Sequence, residues 1–519
     1  MARSVPEEIG KPIPVRGTLG AQLLEVVTAG MYSDPRMILR EYIQNAVDSL
    51  DLAEEKGVIG STEGIVDIRL EGQARTITIE DNGLGVPLDE LSERLGSLGR
   101  SEKEGMRCRG FRGIGRLGGL AYCDEIRFET RADRDRKIGI VTWDGVATRE
   151  LIRETRGRGR LADIVQRVAS TYARRPSSAD PSRFFRVTLS KVRPFHSDDL
   201  MNLHRVRDYL SQVAPVPFDR ERFRFADAID ERLNDLPGYR SYEIRVNDRR
   251  ICRPYSDQIP VNDARTERIQ AVEQMDFEGA DGRLMGRGWY AITDLCAAFP
   301  PSLIARGIRM RQGNIGVGEE SFLEHCFTER RFAAWHIGEI HVDTGIRPNA
   351  RRDGFEHSAD YERFLEQARV LGTHLSALCR RSSKNRSMVR TVGARLLELE
   401  RQVSAMLFPN QTHLESFLTG FDRCLLDLET RMGTLDVDHG LRDRLRRLRR
   451  RADDIRRCPR YLSDSLDRRK LRQLEPAELL KRISESILAD PANGLASKEL
   501  LRTILDPYLK PSLRRRLRH

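Results

Sequence analysis

Glu41, Asn45 and Asp48 stand at i, i+4 and i+7 in the segment Glu41-Tyr-Ile-Gln-Asn45-Ala-Val-Asp48, so on a helix they project from one face. An acid beside an amide suits metal-bound phosphate: the amide oxygen is a ligand for hard Mg2+, and the carboxylate can polarise water. Seen alone, the same pattern describes a solvated polar helix face. A second group, Asp81-Asn82-Gly83-Leu84-Gly85, directly follows the alternating run Thr76–Glu80. A carboxylate at a strand end can accept from an adenine amino group while glycines let the backbone approach the ring. Alone, it reads as a tight turn. A third, Gly110-Phe-Arg-Gly113-Ile114-Gly115-Arg116-Leu-Gly118-Gly119, leaves backbone N–H groups free at a helix start to hold phosphate oxygens. No βαβ unit brackets it and no Gly-Lys-Ser/Thr follows, so neither dinucleotide fingerprint nor P-loop applies. Each motif is weak singly; the three in this order carry weight together.

These residues need elements to hold them. Leu23, Leu24, Val27, Ile38, Tyr42, Val47 and Leu50 recur at helical spacing, with a break near Ser33-Asp34-Pro35. Ile65–Leu70 and Thr76–Glu80 alternate as half-buried strands around a turn at Glu71-Gly72-Gln73, and Glu125–Thr130, Lys137–Thr142 and Phe185–Leu189 read as further strands. Residues 153–183, rich in Arg, Ser and Pro, read as partly a mobile connection. A helix around Leu200–Val213 and strands at Tyr242–Val246, Gly288–Ile292 and Ile337–Val342 define a second α/β region. Residues 361–519 read as helical, with breaks near Pro409, Gly433–Gly440, Pro459, Pro476, Pro491–Gly494 and Pro507.

At 519 residues, 39% hydrophobic and 32% charged, several soluble domains are expected rather than one core or a disordered chain. There is no long apolar run, and the first thirty residues carry Glu7, Glu8 and Glu25 without an apolar signal core, so a cytoplasmic, non-membrane protein is expected. Eight scattered cysteines without a C-x-x-C pair favour reduced thiols over a disulfide framework or zinc site. The net charge of +11 is uneven: residues 1–360 net −2 and residues 361–519 net +13. The basic excess gathers at Arg442–Arg451, where Leu441, Leu445 and Leu448 mark an amphipathic helix, and at Arg514–Arg518. Such a face could grip a phosphate backbone, or pair with acidic residues of a protein partner.

The three motifs together resemble the GHKL ATPase superfamily, which unites Hsp90, MutL, type II topoisomerase ATPase domains, MORC proteins and histidine kinases. Within it, Gln22 through Tyr32-Ser33 to Leu39-Arg40-Glu41 is similar to the Hsp90 run into the catalytic helix. The resemblance implies an α+β Bergerat ATP-binding sandwich over residues 1–195. An α/β middle domain of ribosomal-protein-S5-like type would follow over 196–360, then an all-α C-terminal region over 361–519 for dimerisation or partner binding. It implies ATP and Mg2+ as ligands, Glu41 as general base and Asn45 as Mg2+ ligand, with Asp48 beside them. Asp81 would contact adenine and Gly83 and Gly85 would lie against the purine. Gly110, Gly113, Ile114 and Gly115 would surround the phosphates, and residues 91–109 would form a lid carrying Lys103 and Arg107. Gly307–Asn314 and Ile346–Asp353 resemble Hsp90 middle-domain pieces, making Arg352, with Arg351 beside it, the arginine that reaches the terminal phosphate; the alternative is a surface pair bonded to Asp353 or Glu356. The resemblance departs at Phe184-Phe185, where family members place Gly-Thr, and leaves Thr188 facing away. It implies a homodimeric, ATP-driven clamp acting on client proteins; the alternative is a MORC- or MutL-like clamp on nucleic acid, gripped by the arginine clusters.

Overall fold

The computed structural model describes residues 34–96, 115–155, 161–195, 197–404, 408, 410–433 and 439–459. The chain divides into two compact units, Met1–Cys379 and Arg380–His519. The first begins with helix α1 (Met37–Glu55), hairpin β1 (Ile65–Glu71) and β2 (Thr76–Asp81), and the short helix α2 (Leu91–Gly96). A 3-10 stretch at Gly115–Ala121 leads into β3 (Glu125–Arg131), β4 (Ile138–Asp144), α3 (Gly145–Thr155), α4 (Leu161–Val168), β5 (Ala169–Arg174) and β6 (Phe184–Ser190). Next come α5 (Leu203–Val213), α6 (Ala226–Leu233), β7 (Glu243–Val246) and β8 (Arg249–Arg250).

These strands make one eight-stranded sheet in the order β5-β4-β3-β6-β2-β1-β7-β8. The alternation read from the sequence becomes its two faces. Ile77, Ile79, Ile126, Phe128, Val187 and Leu189 face the helices and form a core with Ile38, Leu39, Tyr42, Ile43 and Val47 of α1. The opposite face is held by charge: Arg186 reaches Glu80 (2.5 Å) and Glu129 (3.6 Å), and Arg174 joins Glu129 (3.4 Å) and Asp180 (2.7 Å). Two outcomes differ from expectation. Residues 161–174 are not a connection but a helix and an edge strand, because Ile164 and Val168 pack into the core and β5 pairs with β4. The sheet also runs past residue 195: β7 pairs parallel with β1, Ile244 opposite Val66.

A two-stranded ribbon, β9 (Gln258–Asn262) and β10 (Arg265–Arg268), precedes a second sheet. Its strands are β11 (Ala271–Glu278), β12 (Leu284–Ile292), β13 (Gly307–Gln312), β14 (Ile315–Val317) and β15 (Ile337–Val342), in the order β11-β12-β15-β13-β14. β13 turns into β14 through Gly313 (φ +54) and Asn314 (φ +62), both in the left-handed region that a two-residue hairpin requires.

At the heart of this second region the Glu339 side chain is fully buried between the equally buried Arg253 and Arg311. Arg311 Nε donates to Glu339 Oε1 at 2.7 Å, and its other nitrogens donate to the carbonyls of Gln212 (2.5 Å), Ala214 (3.2 Å) and Asn314 (2.9 Å). Arg253 bonds Glu339, the Val216 carbonyl (3.0 Å), the Tyr239 hydroxyl (3.1 Å) and Asn314 Oδ1 (2.6 Å). No guanidinium nitrogen lacks an acceptor, which is what makes burial of such charges tolerable. Burial opposes ionisation of Glu339, but Arg253 and Arg311 overcome it and hold the carboxyl far below its usual range. Burial also pulls His341, 3.0 Å from Glu339, down to about 4.

The helix α7 (Ala359–Ser404) begins in the first unit and continues into the second, which also contains α8 (Gln411–Gly433) and α9 (His439–Arg457). The helix ends fall at the breaks read around Pro409, Gly433–Gly440 and Pro459. In the second unit Leu396 and Leu399 of α7, Phe421 and Leu425 of α8, and Leu445 and Leu448 of α9 share one apolar core. Arg444 pairs with Glu400 at 2.6 Å, Arg449 with Glu429 and Arg456 with Asp422. Part of the arginine face is therefore committed to acids of its own chain. The Arg514–Arg518 cluster lies outside the described residues.

Candidate functional site

α1 buries Arg40, Gln44 and Asp48 but leaves Glu41, beside the Gly115 turn, and Asn45 half-buried. Glu41 Oε1 is buried with no hydrogen-bond partner, 4.0 Å from Arg40 Nε. The other oxygen lies against the backbone of the glycine segment: a Cβ on Gly115 would sit 2.5 Å from Glu41 Oε2. A side chain at 115 would therefore have to displace the Glu41 carboxylate. The same close packing recurs one turn on, where Tyr42 donates to the Arg116 carbonyl at 3.0 Å and a Cβ on Gly119 would fall 2.5 Å from the Tyr42 hydroxyl. Burial pulls the Arg116 guanidinium down to about 10. Leaving a buried carboxylate oxygen unmade costs free energy. That orphan, the half-buried amide of Asn45 and the glycine wall fit a metal-bound phosphate.

Asp81 ends β2 buried, its Oδ1 accepting from Gly83 N at 3.0 Å. Ser49 of α1 clamps this turn by accepting from Leu84 N at 3.0 Å, and a Cβ on Gly83 would run into the Ser49 hydroxyl and come within 2.9 Å of its carbonyl carbon. Arg183 Nε donates to the Gly83 carbonyl at 2.6 Å. Asn82 is a structural tie, accepting from Ile65 N (2.9 Å) and donating to the Glu63 carbonyl (2.8 Å). Gly85 has φ +68, and a Cβ there would meet the Arg131 carbonyl, so backbone geometry alone demands this glycine.

On the neighbouring strand the residue opposite Asp81 is Phe185. It packs on the helix-facing core, 6.1 Å from the Phe128 ring. A ring rather than a hydroxyl thus stands beside Asp81. Thr188 alternates with buried Val187 and Leu189 and faces the opposite side. The nearby Thr130 hydroxyl is already engaged, accepting from Val86 N (2.7 Å) and donating to the Phe184 carbonyl (3.2 Å).

Arg352, in the second region, meets Arg40 through its backbone carbonyl. It is buried with φ +52, a conformation costing a non-glycine residue about 1–2 kcal/mol. Its carbonyl accepts from Gly318 N at 2.8 Å and from Arg40 Nη1 at 3.4 Å, while Arg40 Nη2 donates to the Arg351 carbonyl at 2.7 Å. Asp353 is occupied by Asn349 Nδ2 at 2.6 Å. Tyr209 of α5 adds a ring under the Arg36 guanidinium (5.1 Å), and burial pushes its hydroxyl up to about 12. Lys103, Arg107, Gly110, Gly113 and Ile114 lie outside the described residues.

Sequence reasoning had no means to find Ser49, Arg183 or Tyr209, whose roles are long-range contacts. Arg40 was visible only as the neighbour of Glu41.

Residues 32–158 match the family described as histidine kinase-, DNA gyrase B-, and HSP90-like ATPase. The chain therefore carries a GHKL ATPase domain. That domain is Hsp90-like: it is 32% identical over 145 residues to the chaperone protein HtpG of Acinetobacter baylyi, covering 24% of this chain and 22% of the relative. HtpG of Geobacter metallireducens is 30% identical over 160 residues (26% and 25%), and that of Alkalilimnicola ehrlichii 37% over 86 residues (15% and 13%). The chain thus matches a quarter or less of the length of these relatives. No helix among the described residues is long and apolar enough to cross a membrane.

Proposed function

We propose that this chain binds and hydrolyses Mg-ATP and uses the cycle to work on client proteins as a chaperone-like homodimeric clamp in the cytoplasm. The observation that carries the reading is the Glu41 carboxylate, with one orphaned oxygen, held against Gly115 and beside the Arg40 bridge to the Arg351–Arg352 carbonyls. Asp81 accepts the adenine amino group; Phe185 covers the ring where a hydroxyl would otherwise stand. Asn45 would hold Mg2+ through its amide oxygen, and the ion would supply positive charge beside the phosphate oxygens. Glu41 takes the proton of the attacking water, and the Arg352 guanidinium stabilises charge spread over the transferring phosphoryl. By the family resemblance, Lys103, Gly110, Gly113, Ile114 and Gly115 are assigned to the phosphates and the 91–109 segment to a lid. Residues 1–195, 196–360 and 361–519 divide the work as nucleotide engine, transducer and partner-holding tail, with Asp48 as a buried support of the catalytic helix.

The likeness to HtpG chaperones supports the client-protein reading over a clamp on nucleic acid. The cross-helix pairs of Arg444 and Arg449 support it too, by engaging two guanidiniums of the Arg442–Arg451 face that would hold a phosphate backbone. The test uses Glu41→Ala and Asp81→Asn. Glu41→Ala is expected to bind ATP and lose hydrolysis by about a hundredfold or more, and Asp81→Asn to lose binding. Wild-type turnover in Glu41→Ala removes Glu41 from the reaction. Stimulation of turnover by duplex DNA, but not by unfolded protein, reverses the choice of partner.

A further inference from the structure

Helix α1 is met by the second region at both of its ends. At the near end Arg40 Nη2 donates to the Arg351 carbonyl at 2.7 Å and Nη1 to the Arg352 carbonyl at 3.4 Å. At the far end Tyr242 donates to Asp51, while Arg240 bonds Glu54 and stands 3.5 Å from Asp51. Both contacts run back to one hairpin. Asn314, fully buried in the turn between β13 and β14, donates to the Arg240 carbonyl at 2.7 Å and to the Ser241 hydroxyl at 3.3 Å. Its Oδ1 is held in turn by Arg253 at 2.6 Å. Just past β14, Gly318 N donates to the Arg352 carbonyl at 2.8 Å. The hairpin therefore touches the supports of both ends of the helix that carries Glu41.

Helix stability does not explain the far contact. Asp51 and Glu54 stand toward the C-terminal end of α1, where acids oppose the helix dipole, and no basic residue in its last turn offsets them. The Arg240 and Glu54 side chains are each about a third exposed, and ion pairs of that exposure contribute little to stability. What the contact fixes is direction. With 19 residues α1 is about 28 Å long, so a helix held only through Arg40 could tilt about that point and turn Glu41 with it. We propose that Arg240 is a positioning residue for the reaction: seated by Asn314, it holds the far end of α1 and so sets the angle at which Glu41 meets the Gly115 turn. The proposal rests on the reading of Glu41 as general base. A displacement of about 1 Å at a reacting group can cost about a hundredfold in rate even when its cause is remote. The adenine contact assigned to Asp81 lies on β2 and keeps its own bond from Gly83 N at 3.0 Å. Loss of Arg240 therefore falls on turnover rather than on affinity.

The experiment measures steady-state ATP turnover and urea unfolding on the full chain for wild type, Glu41→Ala, Arg240→Ala, Arg240→Lys and Arg232→Ala. Arg232 pairs with Asp276 at 2.7 Å on the surface of the second region, so its loss is a matched deletion of an exposed ion pair. Arg240→Ala is expected to lower kcat by about tenfold or more, with KM for ATP within about twofold and the urea midpoint unmoved. Arg240→Lys, whose single ammonium can serve one of the two acids, is expected to recover part of that loss. Arg232→Ala should keep wild-type kcat and midpoint. Wild-type kcat in Arg240→Ala, with Glu41→Ala inactive, overturns the proposal and leaves the ATPase reading standing. So does a loss that Arg232→Ala matches, a loss that tracks a fall in the urea midpoint, or a rise in KM at unchanged kcat. No turnover in wild type, or full turnover in Glu41→Ala, overturns the ATPase reading and this inference with it.

Discussion

Two carboxylates of the first unit sit beside arginines and have opposite fates. Glu339 is enclosed by Arg253 and Arg311, whose nitrogens all find acceptors. Glu41 has Arg40 at 4.0 Å, but Arg40 spends its terminal nitrogens on the Arg351 and Arg352 carbonyls and leaves Glu41 Oε1 orphaned. A saturated cluster has no capacity left for a ligand and serves the fold. A buried polar group kept unsatisfied is costly, and that cost is recovered only when something binds.

Substitution should separate the two. Glu339→Ala strands two buried guanidiniums and is expected to cost about 3–5 kcal/mol in urea unfolding. Glu41→Ala is expected to change stability by less than about 1 kcal/mol while abolishing turnover. A comparable stability loss in both would erase the distinction. Acid offers a graded version. Burial holds His341 and His336 at about 4, below the 6.5 of a free histidine. Because the folded state disfavours their protonation, stability is full above about pH 6.5 and falls as pH drops toward 4. The expected loss by pH 5 is about 2 kcal/mol for each histidine. Urea midpoints at pH 7 and pH 5 check this, and His341→Gln should flatten the profile. Gly83→Ala must push the turn off Ser49 and is expected to cost about 1–3 kcal/mol together with nucleotide affinity. Calorimetry and ATP titration read the two effects. The smallest effect is expected at Arg444→Ala, a partly exposed pair with Glu400, at under about 1 kcal/mol in thermal unfolding.

What could be read beforehand follows the range of the contact. The alternation in 65–70 and 76–80 is a local property, and both strands appeared with the turn between them. Glu41, Asn45 and Asp81 drew attention because residue type and spacing suggest a chemistry, and their proposed roles rest on that reading. The burial that separates Asp48 from Glu41 on the same helix face was not, since it depends on what the rest of the chain lays against α1. The segment 161–174 was hidden by its surroundings: its helix is only eight residues long, and the edge strand Ala169–Arg174 is largely exposed. Arg253 gave no sign at all; it is one arginine in a basic stretch until the fold closes Glu339 over it. The ring of Phe185 beside Asp81 was anticipated as a departure, but its neighbour Phe128 was not.

The parallel pairing of β7 with β1 also has a meaning in time. Val66 finds its partner Ile244 roughly 180 residues later. At about 5–20 residues per second, synthesis leaves β1 without that neighbour for roughly ten to thirty-five seconds. During that interval the strand carrying Val66, Ile68 and Leu70 is an open edge of the kind that seeks other chains. A nascent chain stopped near residue 195 would expose this edge permanently. The sheet that carries Asp81 is therefore complete only after residue 250 has been made.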